Sequence, residues 1–314
     1  MQLIDCPYIE FDSINSLPNM FKLLDHHGGY NKNFKNCCFE KLGDRQHTII
    51  VHNIVDNQIK KNYPNLKFVF DADWQDKLNF KHFKNYKMHP ELDYQNFVCS
   101  FNGSDHTGRQ LLASALNKFG YFNKDYCSKN RNYNGNKIDG HLTNYVANTE
   151  FYNKFFDCTD EFNQQIYSFG HNQYDHVNNI YILENKLTQS FLHIVSETLA
   201  TSYYPFVTEK FLYSIVIRGL FLAYAQPGWH QHIEKYYGFK LYYKIFDYSF
   251  DKITNPVRRL IRLIETISKF SKLSVDDWRD LYLLEQDAIE YNYNHYFSKD
   301  YLKSLKQFDN AQTI

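Results

Sequence analysis

The residues best placed to do chemistry are Thr208-Glu209-Lys210, a short polar run that follows an apolar stretch closed by Glu197. The stretch, residues 190–196, has the aromatic and β-branched composition of a strand, and Thr208 has the side chain of a helix N-cap. A lysine in the first turn of a helix offers a positive charge to a phosphate, while a glutamate offers acceptors to ribose hydroxyl groups. These residue types in this order suit a nucleotide-binding turn after the strand, and the same run also fits an ordinary capped helix start with a solvated charge pair.

The elements that must position this run alternate between strand and helix patterns along much of the chain. Strands are predicted over residues 48–55, 66–70, 97–101, 190–196, 220–225 and 241–246. Helices are predicted over residues 109–119, 208–218, 229–237, 256–270 and 274–307, with Gly120, Gly238 and Asn255 as boundary residues. Residues 124–148 are polar and rich in Asn and Gly, which is typical of an irregular loop. The alternation predicts an open parallel α/β sheet, which binds ligands beyond the carboxyl ends of its strands.

Residues 185–270 resemble the donor-binding signature of α-1,3-fucosyltransferase-like enzymes of the GT-B fold. The shared order is Glu197 closing a strand, Val207, the 208–210 run, a helix and an apolar strand, then Asp247 or Asp251. Residues 97–128 are similar to a segment of related glycosyltransferases, with a strand, an Asn-Gly turn, Arg109, a helix, Gly120 and Ser128. The chain departs from the family at residues 221–223, Phe-Leu-Ala, where the family usually has Val-Pro-Val. The resemblance therefore does not identify the donor sugar.

The resemblance implies a GT-B fold, in which two Rossmann-like domains face a central cleft. Residues 1–180 would bind the acceptor, residues 181–275 would bind the nucleotide sugar, and C-terminal helices in residues 276–314 would cross back over both. It also implies that Lys210 contacts the donor phosphates, Glu209 the ribose, and Glu197 the sugar or its neighbours. The reaction would be an inverting glycosyl transfer that needs no metal and no cofactor, with a GDP-sugar favoured over a UDP-sugar.

An enzyme of this kind needs a general base within hydrogen-bond reach of the acceptor hydroxyl, and the resemblance places that base in the N-terminal domain. The candidates there are Asp71, Asp73, Glu91, Asp105 and His106. His26 and His27 stand before two glycines in an early loop, which in GT-B enzymes often faces the cleft. We group them with Arg109 as acceptor-side or cleft residues.

Three other functions compete with this interpretation. Asp71-Ala72-Asp73 matches the DxD motif of GT-A glycosyltransferases, whose carboxylates hold a divalent cation that bridges the donor diphosphate. Residues 118–137 are basic with interleaved aromatics, a pattern that can grip nucleic acid. With a helix face at Arg258, Arg259 and Arg262, it would suit a DNA-modifying transferase that acts on a hydroxymethylated base. A glycosyltransferase fold without turnover would be a glycan-binding module.

Composition bounds the remaining possibilities. Lys plus Arg and Asp plus Glu are both 35 among the 314 residues, so the formal net charge is zero, without the basic excess typical of nucleic-acid binders. The six cysteines are scattered, without a CxxC pair, and we expect free thiols in a reducing compartment. His230 and His232 are expected at the surface or in loops, not as metal ligands. No apolar stretch is long enough for a membrane span. We expect a cytoplasmic protein, in the host cytoplasm if the AT-rich codon bias is viral.

Overall fold

A computed structural model of the chain describes residues 2–5, 20–24, 46–51, 57–70, 89–103, 107–129, 155, 162, 165–170, 176–197, 200, 207–208 and 210–298. Within these residues the protein is mixed α/β, with eight α-helices and two four-stranded sheets. Every strand pair in both sheets is parallel. The α/β class predicted from the alternating pattern is therefore confirmed.

The first sheet is built from the N-terminal strands in simple sequence order. These are β1 (Gln2–Asp5), β2 (Met20–Leu24), β3 (His47–Val51) and β4 (Leu66–Phe70). The short helix α1 (Asn57–Asn62) connects β3 to β4. The strands predicted over 48–55 and 66–70 correspond to β3 and β4, whereas β1 and β2 were not predicted.

The second sheet contains strands from both sides of the boundary predicted at residues 180 and 181. Its strands are β5 (Asn96–Asn102), β6 (Cys127–Lys129), β7 (Ser190–Ser196) and β8 (Leu220–Tyr224), in the order β6-β5-β7-β8. The chain first steps outward from β5 to β6 and then returns past β5 to β7. The carboxyl ends of β5 and β7 therefore flank the point where the winding direction reverses, which is where open α/β sheets bind ligands.

The helices of this second part follow its strands and are capped largely as the sequence indicates. They are α2 (Thr107–Lys118), α3 (His176–Thr188), α4 (Lys210–Val216), α5 (Trp229–Tyr237), α6 (Pro256–Ser268), α7 (Val275–Leu284) and α8 (Gln286–Phe297). Asn255 caps α6 by accepting from the Arg258 N–H, and Ser274 forms a capping box with Asp277 at the start of α7. Gly120 and Gly238 both have a φ of 75°, the left-handed conformation that ends helices.

Two secondary-structure predictions are wrong. Residues 241–246 form turns that lead into a 3₁₀ helix, Tyr248–Lys252, because their apolar side chains are spaced as in a helical turn. Leu241, Tyr242 and Phe246 are buried in that arrangement. The predicted loop over 124–148 contains strand β6, and its residues after 129 lie outside the described part.

Helices cover the two faces of the second sheet, and buried contacts show which face each strand residue uses. His193 in β7 points to the face of α3 and α4, since its ring nitrogens contact Ser214 Oγ at 2.9 Å and the Leu187 carbonyl at 2.8 Å. Tyr224 in β8 points to the opposite face, where its hydroxyl donates to the carbonyl of Pro256, the first residue of α6. Its ring also lies 3.6 Å from the position that a Cβ on Gly108 of α2 would occupy. Helices α2 and α6 therefore share that face.

The core of this part is rich in aromatic side chains, as the composition suggests. Phe191 of β7 stacks on Trp278 of α7, with ring centroids 5.5 Å apart and planes 10° from parallel. Trp229, Phe211 and Phe239 form a second group of edge-to-face contacts. Aromatic pairs in these geometries add to the hydrophobic stabilisation.

No helix in the described ranges is both long enough and apolar enough to cross a membrane. Two of the six cysteines, Cys99 and Cys127, fall within these ranges, and both are buried free thiols. Burial raises the pKa of Cys127 to about 12, so this thiol stays protonated.

Burial of two histidines makes the fold sensitive to acid. Burial lowers the pKa of His193 to about 4 and, with help from the nearby Lys235 charge, the pKa of His232 to about 3. Both folded-state values lie below the unfolded value, so the unfolded chain binds more protons as the pH falls below about 6.5. We expect the free energy of unfolding to fall by up to about 2.7 kcal/mol per pH unit from these two groups between about pH 6 and pH 4.

Urea unfolding at several pH values checks this expectation, with His232→Gln as the test variant. Glutamine does not titrate, so the acid slope should fall by about half. His89 is exposed. The control His89→Gln makes the same substitution at an exposed side chain outside the core. Equal slopes in His232→Gln and the wild type would contradict the assignment.

Candidate functional site

The carboxyl edge of the second sheet carries a row of polar and aromatic residues at one level. Strand pairing places Lys129 of β6 beside Asn102 of β5, and Ser196 of β7 beside Tyr224 of β8. Cys99 of β5 pairs with His193 of β7. Three residues further along both strands, the same register places Asn102 opposite Ser196. All four residues of this row are buried. The row marks the switch point of the sheet.

Glu197, Thr208 and Lys210 come together at the end of β7, as the sequence motif predicts. The two carboxylate oxygens of Glu197 accept hydrogen bonds from Thr208, one from its N–H at 3.2 Å and one from its hydroxyl at 2.6 Å. Lys210 in turn donates from Nζ to Thr208 Oγ1 at 3.1 Å. The Lys210 N–H lies 3.4 Å from the same oxygen, which makes Thr208 the cap of α4.

The three residues differ in burial and in the contacts that they make. Glu197 and Thr208 are 2% and 5% exposed, whereas Lys210 is only partly buried and can reach a ligand. Glu197 is fastened to the strand edge because its N–H donates to the Tyr224 carbonyl at 3.1 Å. Its carboxylate also lies close to the buried Tyr237, whose pKa is raised by burial and then by the Glu197 charge. In this geometry Glu197 positions Thr208, and Thr208 positions the Lys210 amine.

Arg259 of α6 is buried and binds backbone carbonyls, which does not fit the predicted basic helix face. It is 1% exposed, and its guanidinium donates to the carbonyls of Ala225 at 2.9 Å and Thr254 at 3.3 Å. It also donates to the Ala200 carbonyl, in the segment that follows β7. Arg259 thus joins the loops after β7 and β8, while Arg262 pairs with Glu265 at 2.7 Å on the exposed side of α6. Residues 258, 259 and 262 do not form one basic face.

His230 and His232 are buried, so the prediction of surface histidines is wrong. His230 Nδ1 lies 2.7 Å from Asp251 Oδ1, and His230 Nε2 accepts from the Ala223 N–H at 3.0 Å. A ring nitrogen that accepts a backbone N–H carries no proton, so His230 is neutral and donates through Nδ1. Asp251 Oδ2 accepts from the His230 N–H at 3.1 Å, at the start of α5. This pair fastens α5 to the 3₁₀ helix beside the sheet edge. The described residues contain no group of three or more His, Cys, Asp or Glu that could hold a metal ion.

Asn102 and Ser196, the last residues of the two central strands, were not predicted as site residues. Asn102 is completely buried and donates from Nδ2 to Ser100 Oγ at 3.0 Å. Among the described residues, however, neither Asn102 Oδ1 nor Ser196 Oγ has a hydrogen-bond partner. Each of these residues is the polar last residue of its strand, which is a signal that the sequence carries. Arg109, predicted as a cleft residue, is buried in the first turn of α2, directly after the end of β5.

Several other predicted residues can be compared with the structure. Glu91 is exposed, and its N–H donates to the Thr188 carbonyl just before β7 begins, so it lies at the amino edge, away from the switch point. Lys129, from the basic aromatic segment, is buried and donates to the Gln165 carbonyl at 3.1 Å. Part of the basic aromatic segment is therefore buried in the fold. Seven predicted site residues lie outside the described residues: His26, His27, Asp71, Asp73, Asp105, His106 and Glu209.

Comparison of the chain with protein-family models, with curated proteins and with solved structures found no match.

Proposed function

We propose that the protein is a glycosyltransferase that binds a nucleotide-sugar donor at the carboxyl edge of its second sheet. The observation that carries the proposal is the chain of contacts from Glu197 through Thr208 to the Lys210 amine. It holds a partly exposed cation where β7 ends, beside the switch point at which open α/β sheets bind nucleotides. The wider GT-B architecture, with two Rossmann-like domains about a cleft, belongs to the same proposal.

In the proposed reaction the acceptor hydroxyl oxygen attacks the anomeric carbon of the donor sugar. The bond from that carbon to the diphosphate breaks, and the nucleoside diphosphate leaves with the bonding electrons. Lys210 binds the diphosphate and stabilises its growing negative charge, because a lysine acts on phosphate as a point charge. A general base takes the acceptor proton, and Asp71, Asp73, Asp105 and His106 are its candidates. A GDP-sugar is the favoured donor, because residues 185–270 resemble fucosyltransferase-like enzymes.

The test of this proposal is a thermal-shift and calorimetric screen against GDP, UDP, CMP and their sugars, with and without Mn²⁺. We expect one nucleotide to raise the melting temperature without the metal, because a ligand that binds only the folded state stabilises it. Lys210→Ala should weaken binding of that nucleotide about 100-fold, which corresponds to about 2.7 kcal/mol. The variant should melt as the wild type does, since the Lys210 side chain is only partly buried.

Lys272→Ala is the matched control, because Lys272 is exposed and follows α6, at the far end of that helix from Tyr224. It should bind the nucleotide as the wild type does. Unchanged affinity in Lys210→Ala would refute the donor site. A shift that requires Mn²⁺ would favour a metal-dependent enzyme using Asp71 and Asp73. Donor binding without hydrolysis or transfer to any acceptor would favour a binding module.

A further inference from the structure

The face of the second sheet opposite Lys210 also carries polar side chains at the switch point, namely Asn102 and Ser196. Ser196 pairs with Tyr224, and neighbouring residues in a parallel pair project to the same face. Tyr224 faces α2 and α6, so Ser196 faces them too. Cys99 is paired with His193, which faces α3 and α4, and Asn102 is three residues further along β5. Because side chains alternate along a strand, Asn102 also projects to the α2 face.

Two buried hydrogen-bonding atoms on this face have no partner within the described part of the chain. Asn102 is 0% exposed and Ser196 is 2% exposed, and Asn102 Oδ1 and Ser196 Oγ have no partner among the described residues. A folded protein leaves few buried polar atoms unsatisfied, since each one loses its hydrogen bonds to water without replacement. Gly103, directly after Asn102, is exposed, so solvent lies one residue away. The two atoms offer an acceptor and a hydroxyl to a ligand.

The first turn of α2 supplies a region suited to negative charge beside these atoms. The helix has 12 residues and no acidic side chain in its first turn. Its first N–H groups have no acceptor within the helix, and the buried Arg109 adds a positive charge to the same turn. A Cβ on Gly108 would lie 3.2 Å from Ala200 Cβ, so this turn packs against the segment that follows β7 and Ser196. The first turn of α2 therefore lies close to the ends of β5 and β7.

We propose that this face binds an organic phosphate that carries hydroxyl groups, with its phosphate at the first turn of α2. A hydroxyl of the ligand donates to Asn102 Oδ1, and Ser196 Oγ forms a second hydrogen bond with the ligand. The site does not depend on the transferase proposal, because it uses the face of the sheet opposite Thr208 and Lys210. A nucleotide that crosses the sheet edge and a separate sugar phosphate share this chemistry, and the experiment separates them.

The test uses Ser196→Ala, for which an unsatisfied hydroxyl and a structural hydroxyl predict opposite results. Removing an unpartnered hydroxyl should leave the melting temperature of the ligand-free protein equal or higher, while weakening the ligand about tenfold. Ser190→Ala is the matched control: Ser190 is equally buried at the other end of β7, and its hydroxyl donates to the Lys186 carbonyl at 2.7 Å. That variant should lower the melting temperature and leave ligand affinity unchanged.

Ribose 5-phosphate, GDP and inorganic phosphate are the probes, each titrated calorimetrically into the wild type, both serine variants and Lys210→Ala. Ribose 5-phosphate binding that depends on Ser196 and not on Lys210 supports the site and identifies a separate ligand. GDP binding that depends on both residues supports the site and identifies a nucleotide that crosses the edge. The proposal is overturned if none of the probes binds, or if Ser196→Ala binds them as the wild type does. It is also overturned if Ser196→Ala is destabilised like Ser190→Ala.

Discussion

Asp251→Ala is expected to lower the free energy of unfolding by about 2–6 kcal/mol, because it leaves two buried N–H donors of His230 without an acceptor, at about 1–3 kcal/mol each. Asp251 is 1% exposed and accepts from His230 Nδ1 at 2.7 Å and from the His230 N–H at 3.1 Å. His230 cannot adapt by moving its proton to Nε2, since the Ala223 N–H donates to that nitrogen. The variant therefore leaves a buried ring N–H and a helix N–H without acceptors, in addition to a cavity.

Chemical denaturation followed by tryptophan fluorescence measures this loss, since Trp229 lies beside His230 with ring centroids 5.2 Å apart. Asp251→Asn should cost less than the alanine variant, because an amide oxygen can still accept one of the two N–H groups. The matched control is Asp247→Ala, which removes an exposed cap of the same 3₁₀ helix, where the side chain accepts from the Ser249 N–H. A lost cap costs about 1 kcal/mol. A loss at Asp251 no larger than at Asp247 would contradict the structural role.

Local sequence patterns predicted most of the second sheet because its longer strands are rich in aromatic and β-branched residues. Residues 190–196 and 220–224 are entirely buried, and strands buried on both faces are apolar throughout. Strand β6 was missed because it has only three residues, Cys127–Lys129, within a polar segment. Contacts with residues distant in sequence hold β6 in the sheet, such as the hydrogen bond that the Asn102 N–H donates to the Ser128 hydroxyl.

The partners of a strand cannot be read from its own residues, which is why the boundary at 180 and 181 crosses a sheet. Strands β5 and β7 are joined across nearly a hundred residues, and the Ser100 hydroxyl donates to the Ile194 carbonyl over a separation of 94. A local composition change cannot report such a long-range pairing. The same pairing turns Asn102 and Ser196 into neighbours, so their joint position at the switch point emerged only from the fold.

The site motif was easier to predict, because the contacts within it are local. Glu197 and Thr208 are separated by 11 residues, and their hydrogen bond closes one strand-to-helix connection. The resemblance implied that Glu197 contacts the sugar or its neighbours, and the structure adds that both of its carboxylate oxygens accept hydrogen bonds from Thr208. Residue type predicted that these three residues act together, and their hydrogen bonds show how each one positions the next.

Gly219→Ala is expected to lower the free energy of unfolding by more than about 3 kcal/mol, because the added methyl group has no room. A Cβ at this position would lie 2.2 Å from His193 Cε1, well inside van der Waals contact. The His193 ring cannot turn away cheaply, since its two nitrogens contact Ser214 Oγ and the Leu187 carbonyl in a fully buried setting. Displacing the ring would break hydrogen bonds that no water can replace.

A double-mutant cycle with His193→Ala isolates this clash from other effects of the added methyl group. Once the ring is removed, Gly219→Ala should cost less than about 1 kcal/mol, because the methyl group then occupies the space that the ring left. Gly120→Ala serves as the comparison: its φ is 75° and nothing lies within 4 Å of an added Cβ, so it reports the left-handed backbone alone. That conformation costs an alanine about 1 kcal/mol. The explanation is wrong if Gly219→Ala lowers the free energy of unfolding equally with and without the His193 ring. In that case contact with His193 is not the reason that this position needs glycine.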